Sequence, residues 1–311
     1  MKRNHTPFIV ILILLALLAG LILYLIGRDR LPAPTAVPEA SEFMLPAGSA
    51  EAAPEPTPPP ETPSPEDAAL EAEIRACLPD AAEQWDIYYE SLSDGRFAVV
   101  QQNLPADHRM VSASLIKLFV MGAVYQADAD GLLDADAQSA DLRSMITASD
   151  NSAANRLITL LGGGDAAAGM ERVNRFAGSM GCADTQLNRL MLVENGLQNY
   201  TSARDCAAFL RAVEAGTCVS AQRSEEMMTM LLGQTVNNRI PQQLPAGTAV
   251  AHKTGDLQHL SCGDVGIVLA PSGSYLLCII SNQSADDYRT AQTAAAISLL
   301  VYAQAQEREV S

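Results

Sequence analysis

The sequence predicts an α+β fold in which one five-stranded antiparallel sheet is covered by helices, and three observations carry that expectation. Two runs rich in aromatic and β-branched residues, Trp85–Leu92 and Arg96–Gln102, are separated by Ser93-Asp94-Gly95 and read as a hairpin. A long middle region, from Ser114 to Leu232, carries apolar residues at helical spacing. Three further strand-like runs, Thr248–Thr254, Cys262–Leu269 and Tyr275–Ser281, come late and are followed by an alanine-rich helix over Asp286–Ala305. Strands, then helices, then strands again fit a single sheet whose first and last strands are neighbours.

Taken in order, the 311-residue chain opens with Lys2, Arg3 and His5, an uncharged run from Phe8 to Ile26, and then Arg28, Asp29 and Arg30. About 20 apolar residues suffice to cross a bilayer as a helix. No small-x-small cleavage site is clear, so residues 1–30 read as an uncleaved transmembrane anchor with the bulk of the chain outside the cytoplasm. Residues 31–66 are dominated by proline, alanine and glutamate, with Pro58-Pro59-Pro60 among them, and read as an extended, disordered tether. Ser64-Pro65-Glu66-Asp67 signals a helix start, with a serine cap, proline in the first turn and acids facing the helix dipole; the folded domain is expected over 67–311. Within the middle region, helices are expected over Ser114–Ala127, Asp141–Met145, Ser152–Leu161, Ala166–Met180, Ser202–Glu214 and Ser224–Leu232. Gly162-Gly163-Gly164 lacks the lysine and hydroxyl residue of a phosphate loop and reads as a turn.

A formal net charge of -16, with no basic patch, argues against a nucleic-acid partner or an anionic membrane surface. Six cysteines form no CxxC pair or zinc spacing, so neither metal nor cofactor is expected. Outside the cytoplasm disulfides are permitted, and Cys206 with Cys218 is the expected pair, because a helix ending near Gly216 can fold Cys218 back.

Lysine usage singles out the chemistry. Only Lys2, Lys117 and Lys253 are lysines, while seventeen positions are arginine. Arginine cannot give up its proton, whereas burial or a neighbouring cation can bring a lysine toward neutrality and make it a base. Lys2 flanks the anchor, which leaves two. Lys117 lies three residues after Ser114 in Ser114-Leu115-Ile116-Lys117, a step that puts amine and hydroxyl on one face of a helix. Ser149-Asp150-Asn151 stands at a boundary between helices, and Lys253-Thr254-Gly255 ends the first late strand.

These three motifs, in this order, resemble the penicillin-recognising serine hydrolases, and most closely the class A β-lactamase family with its β-lactamase/transpeptidase-like fold; the similarity runs from about Trp85 to the C-terminus. The resemblance implies that Ser114 attacks a cyclic amide carbonyl to form an acyl-enzyme, with Lys117 as base. Ser149 would pass a proton to the departing nitrogen, and Asn151 would hold Lys117 and the substrate amide. Lys253, Thr254 and the backbone near Gly255 would bind the substrate carboxylate, and the N–H groups of Ser114 and Asp256 would form an oxyanion hole. Asp150 is expected to cap backbone. The expected partner is a β-lactam or a peptidoglycan stem peptide, handled by a monomer.

Two departures from the family stand out. The segment from Leu118 to Ala148 is shorter than usual, which removes one wall of the cleft. Class A enzymes also place a water-activating glutamate two residues after an arginine; in Leu187-Asn188-Arg189-Leu190-Met191 that place holds Met191, and Glu194, with Gln198 four beyond it, is the remaining candidate. Without that glutamate, a D-alanyl peptidase or a non-hydrolytic penicillin receptor are the alternative readings. Ala177-Gly178-Ser179-Met180-Gly181 nearly makes a nucleophile elbow but follows a helix, and His108, His252 and His259 have no distinctive serine or acid context.

Overall fold

The computed structural model describes residues 64–79 and 82–307. The expected anchor and nearly all of the tether lie outside the described residues; among those described, no helix is long and apolar enough to cross a membrane.

The strand-forming runs become β1 (Gln84–Ser91), β2 (Phe97–Gln102), β5 (Ala249–Leu257), β6 (Ser261–Leu269) and β7 (Tyr275–Asn282), while β3 (Met110–Val111) and β4 (Tyr200–Thr201) form a separate ribbon. The sheet order is β2-β1-β7-β6-β5, with every neighbouring pair antiparallel. First and last strands are thus partners, from Gln84 opposite Asn282 to Ser91 opposite Tyr275. Strand β7 is buried at every position, as a central strand covered on both faces must be.

Alternation along β7 divides two cores. Leu277 and Ile279 face one way, against Leu70 and Ile74 of α1 (Pro65–Cys77) and Ile297 and Val301 of α8 (Asp287–Glu307). Leu276, Cys278 and Ile280 face the other way, into the core that holds α2 (Lys117–Ala129) and α6 (Ala203–Glu214). From Lys117 through Tyr125 every residue of α2 is buried, so this helix runs through the interior and takes Lys117 with it. Helices α3 (Ser139–Thr147), α4 (Asn151–Leu161), α5 (Ala166–Ser179) and α7 (Ala221–Leu232) complete this layer. The predicted start of α1 is a reciprocal capping box, with Ser64 Oγ accepting from Asp67 N at 3.1 Å and Asp67 Oδ2 accepting from Ser64 N at 3.0 Å.

Three expectations change. Ser114 does not open an α-helix but lies in a 3₁₀ turn, Ala113–Ile116, ahead of α2. Strand β5 runs past Thr254 to Leu257, which puts Gly255 and Asp256 inside it. Cys206 and Cys218 are free thiols. Helix length explains the last: the N–H of Cys218 bonds to Ala212 O, six residues or about 9 Å along the axis from Cys206, beyond the ~7 Å Cα reach of a disulfide. The two-residue strands β3 and β4 are too short to leave a periodic pattern.

Gly255 and Gly263 stand opposite each other in β5 and β6. A Cβ on Gly255 would lie 2.9 Å from both Leu115 Cγ and Ser112 O, and one on Gly263 would lie 3.0 Å from Leu115 Cδ1. The pair makes a notch that seats the nucleophile turn on the sheet. Gly255→Ala is therefore expected to lower stability by about 1–3 kcal/mol, since it presses on backbone, while Gly263→Ala meets only a side-chain tip and costs less. Urea unfolding of both variants measures the difference.

Candidate active site

The 3₁₀ turn decides the first contact. Three residues per turn eclipse positions i and i+3, and Lys117 Nζ lies 3.0 Å from Ser114 Oγ. Ala113, just before Ser114, is left-handed at φ 45°. That conformation disfavours any residue with a Cβ and is held by its neighbours: Ser112 N donates to Asn199 O and Leu115 N to Ser112 O, each at 2.9 Å. Ser149 is likewise left-handed, at φ 57°. Asp150 fixes it by capping α4, its Oδ1 accepting from Ser152 N at 2.7 Å and Ala153 N at 3.1 Å. This turn points both oxygens of Ser149 at Lys117, whose Nζ lies 2.6 Å from Ser149 O, 3.1 Å from Ser149 Oγ and 2.8 Å from Asn151 Oδ1. From β5, Lys253 Nζ reaches the same Ser149 Oγ at 3.0 Å and Thr254 O at 2.8 Å.

Both lysines are fully buried, and burial is what weakens their hold on a proton. It lowers Lys117 to about 8, against the opposing pull of Asp150. It lowers Lys253 to about 7, with the charge of Lys117 adding to the effect. Ser149 Oγ touches both amines and can relay a proton between them, so an uncharged amine is available at Ser114 near neutral pH.

A cavity opens in front of Ser114, and Asn151, Met191, Leu192, Asp256 and Leu257 are among its walls. The loop that supplies Met191 is fastened at both ends. Asn155 takes Met191 N at 2.7 Å and gives to Met191 O at 3.1 Å. Arg189 donates to Leu197 O at 2.9 Å and to Gln198 Oε1 at 3.0 Å, and Asn199 Oδ1 accepts from Asn188 N and Arg189 N at 2.8 and 3.0 Å. Between these fastenings Leu192 is 75% exposed, and Glu194 is exposed and absent from the cavity wall. Across the cavity, Asp256 bonds to Arg239, a buried guanidinium that also donates to Cys262 Sγ at 3.1 Å.

The pattern of the beta-lactamase enzyme family matches residues 69–143 and 140–305 of this chain. The chain belongs to that family. Its fold is that of the class A β-lactamases. The extended-spectrum β-lactamase PER-1 of Pseudomonas aeruginosa is 31% identical over 162 residues, 48% of this chain and 50% of that one. The chain spans about half the length, or somewhat less, of the curated relatives it matches. Among solved structures, PBP-A superposes with a TM-score of 0.69 at 25% identity, covering 81% of this chain and 100% of its own. A variant of PBP-A in acyl-enzyme complex with penicillin G gives 0.67 at 24%, covering 80% and 99%.

Within this family frame, Ser114, Lys117, Ser149, Asn151 and Lys253 converge on one point, Thr254 offers its carbonyl to Lys253, and Gly255 and Asp256 border the nucleophile turn. Glu194 is not brought to Ser114. It falls on the exposed stretch of the loop, three residues past the fastened Met191, where the chain turns into solvent. Asn155, Asn199 and Arg239 escaped the sequence reading, as each acts on a residue eight or more positions away. His252 has an acid after all: it is buried, with Nδ1 2.8 Å from Asp264 Oδ1 and Nε2 3.0 Å from Asn237 Oδ1, a packed bracket between β5 and β6.

Two outcomes follow from the amine geometry. Lys117→Arg keeps the charge but removes the base, and labelling of Ser114 by a fluorescent penicillin should vanish; Lys253→Arg should reduce it less, since a guanidinium still binds a carboxylate. The acylation rate of the unaltered protein should rise between pH 6 and 9, from below about 7, where both amines hold protons, to a plateau above about 8. Stopped-flow rates across that range would expose a flat profile if the base lies elsewhere.

Proposed function

We propose that the protein opens β-lactam rings through an acyl intermediate on Ser114 and releases the product slowly. Lys117 takes the Ser114 proton, and Ser149 hands a proton to the departing nitrogen and recovers it from the lysine pair. Asn151 orients Lys117 and the substrate amide, Lys253 and Thr254 bind the substrate carboxylate, and the N–H groups of Ser114 and Asp256 polarise the carbonyl. Removing an oxyanion donor of this kind costs about 10²- to 10³-fold in rate. The observation that carries the reading is the run of contacts of 3.0–3.1 Å from Ser114 Oγ through Lys117 and Ser149 to Lys253, beside a loop that delivers Met191 in place of a carboxylate. A thioether cannot take a proton from water, and loss of a general base costs about 10²- to 10⁴-fold.

The missing carboxylate leaves room for a second reading, a peptidase acting on D-alanyl peptides of the cell wall. The likeness to PBP-A, of which a variant is seen in acyl-enzyme complex with penicillin G, supports acylation in either reading. In both readings we place the domain outside the cytoplasm, held at a membrane by Phe8–Ile26, and acting as a monomer; the support is the uncharged run and its charged flanks.

Intact mass after mixing with benzylpenicillin should show a stoichiometric burst and an adduct that persists, unaltered in Glu194→Gln. A longer-lived adduct in Glu194→Gln would make Glu194 the base, and rapid burst-free turnover in both proteins would show that another group activates the water. Release of D-alanine from a D-alanyl-D-alanine peptide would select the second reading. Deleting residues 1–30 should move the protein from the membrane fraction to the soluble one, and its recovery in membranes regardless would remove the anchor.

A further inference from the structure

Asp256 and Arg239 form a pair that is neutral in sum and lopsided in space. The Arg239 side chain is only 4% exposed, while that of Asp256 is 57% exposed at the wall of the Ser114 cavity. A molecule entering the cavity therefore meets the carboxylate and not the guanidinium. The guanidinium is spoken for in other directions as well, since it donates to Cys262 Sγ at 3.1 Å and Asn238 Oδ1 at 3.0 Å. Arg189, which does line the cavity, is turned to Leu197 O and Gln198 Oε1 at 2.9 and 3.0 Å.

Position along β5 makes this carboxylate matter. Asp256 is two residues beyond Thr254, so their Cα atoms lie roughly 6.5 Å apart on one face of the strand. If Lys253 and Thr254 hold an anionic group of the substrate, that group comes within the ~8 Å over which charges act at physiological salt. The cavity is partly shielded from water, where like charges repel more strongly than in bulk.

We infer that Asp256 is a specificity-determining residue: its side chain, anchored by Arg239, weakens the preference that Lys253 and Thr254 give to substrates with a free carboxylate beside the scissile amide over the same compounds with that carboxylate masked. The inference rests on the proposed acylation of Ser114 and adds a charge preference to it. Asp256 acts on the substrate by its charge, while its backbone N–H keeps the role given above.

The test compares second-order acylation rates of the full chain with benzylpenicillin and with its methyl ester, followed by intact mass. Asp256→Asn keeps the shape and an oxygen for Arg239 but removes the negative charge. It should raise the ratio of the free-acid rate to the ester rate about tenfold, the ratio cancelling any effect common to both compounds. Asp256→Glu, which restores the charge, should return the ratio toward that of the unaltered protein. Equal changes for acid and ester in Asp256→Asn would mean that Asp256 only shapes the strand, and a slower reaction with the free acid would mean that it helps to bind the anion; either result overturns the inference. If neither compound labels the unaltered protein, the Ser114 reading itself fails and this inference goes with it, an outcome distinct from an unchanged ratio.

Discussion

Two fully buried amines sharing one serine hydroxyl are the constraint around which this molecule is built. Charged lysines in an interior are costly, and the structure lessens that cost by letting Ser149, Asn151 and Thr254 receive their N–H groups while burial draws protons away. What would be a defect in an ordinary core becomes the source of a base. The scarcity of lysine elsewhere in the chain follows from the same chemistry, because arginine serves every need for a permanent charge.

The three segments that meet there are far apart in the chain, and the sheet brings them together. After β2 the chain leaves, threads α2 through the interior, builds the helical layer and re-enters at the opposite edge with β5. The Lys253 strand is thus laid over the Ser114 turn, and Gly255 with Gly263 sets the depth of the approach. Two of the left-handed residues aim functional groups: Ala113, beside the bond from Ser112 N to Asn199 O, and Ser149, beside the Asp150 cap, stand next to the lysine pair.

Much of this was legible in the sequence. Ser114 with Lys117 is a local i, i+3 pair, β1 and β2 are joined by a short turn, and the return of strands after the helices forces β1 beside β7. Expectations that relied on reach were weaker. Cys206 and Cys218 looked close along the chain, yet the rise of α6 separates them. Glu194 looked like a substitute for a missing acid, yet the fastening of Met191 by Asn155 leaves the later residues outside the cavity. The bond between Arg239 and Asp256 joins a loop to the far end of β5, and neither residue carries a local signal for it.

The grip of Asn155 on residue 191 has an evolutionary side. Its side-chain amide reads only the main chain, one N–H and one carbonyl, as a neighbouring β-strand would. No part of that grip depends on which side chain residue 191 bears. The loop can therefore keep its course while the group it presents to Ser114 is exchanged by a single substitution, so that in the proposed reaction the lifetime of the acyl intermediate is inherited separately from the architecture that forms it.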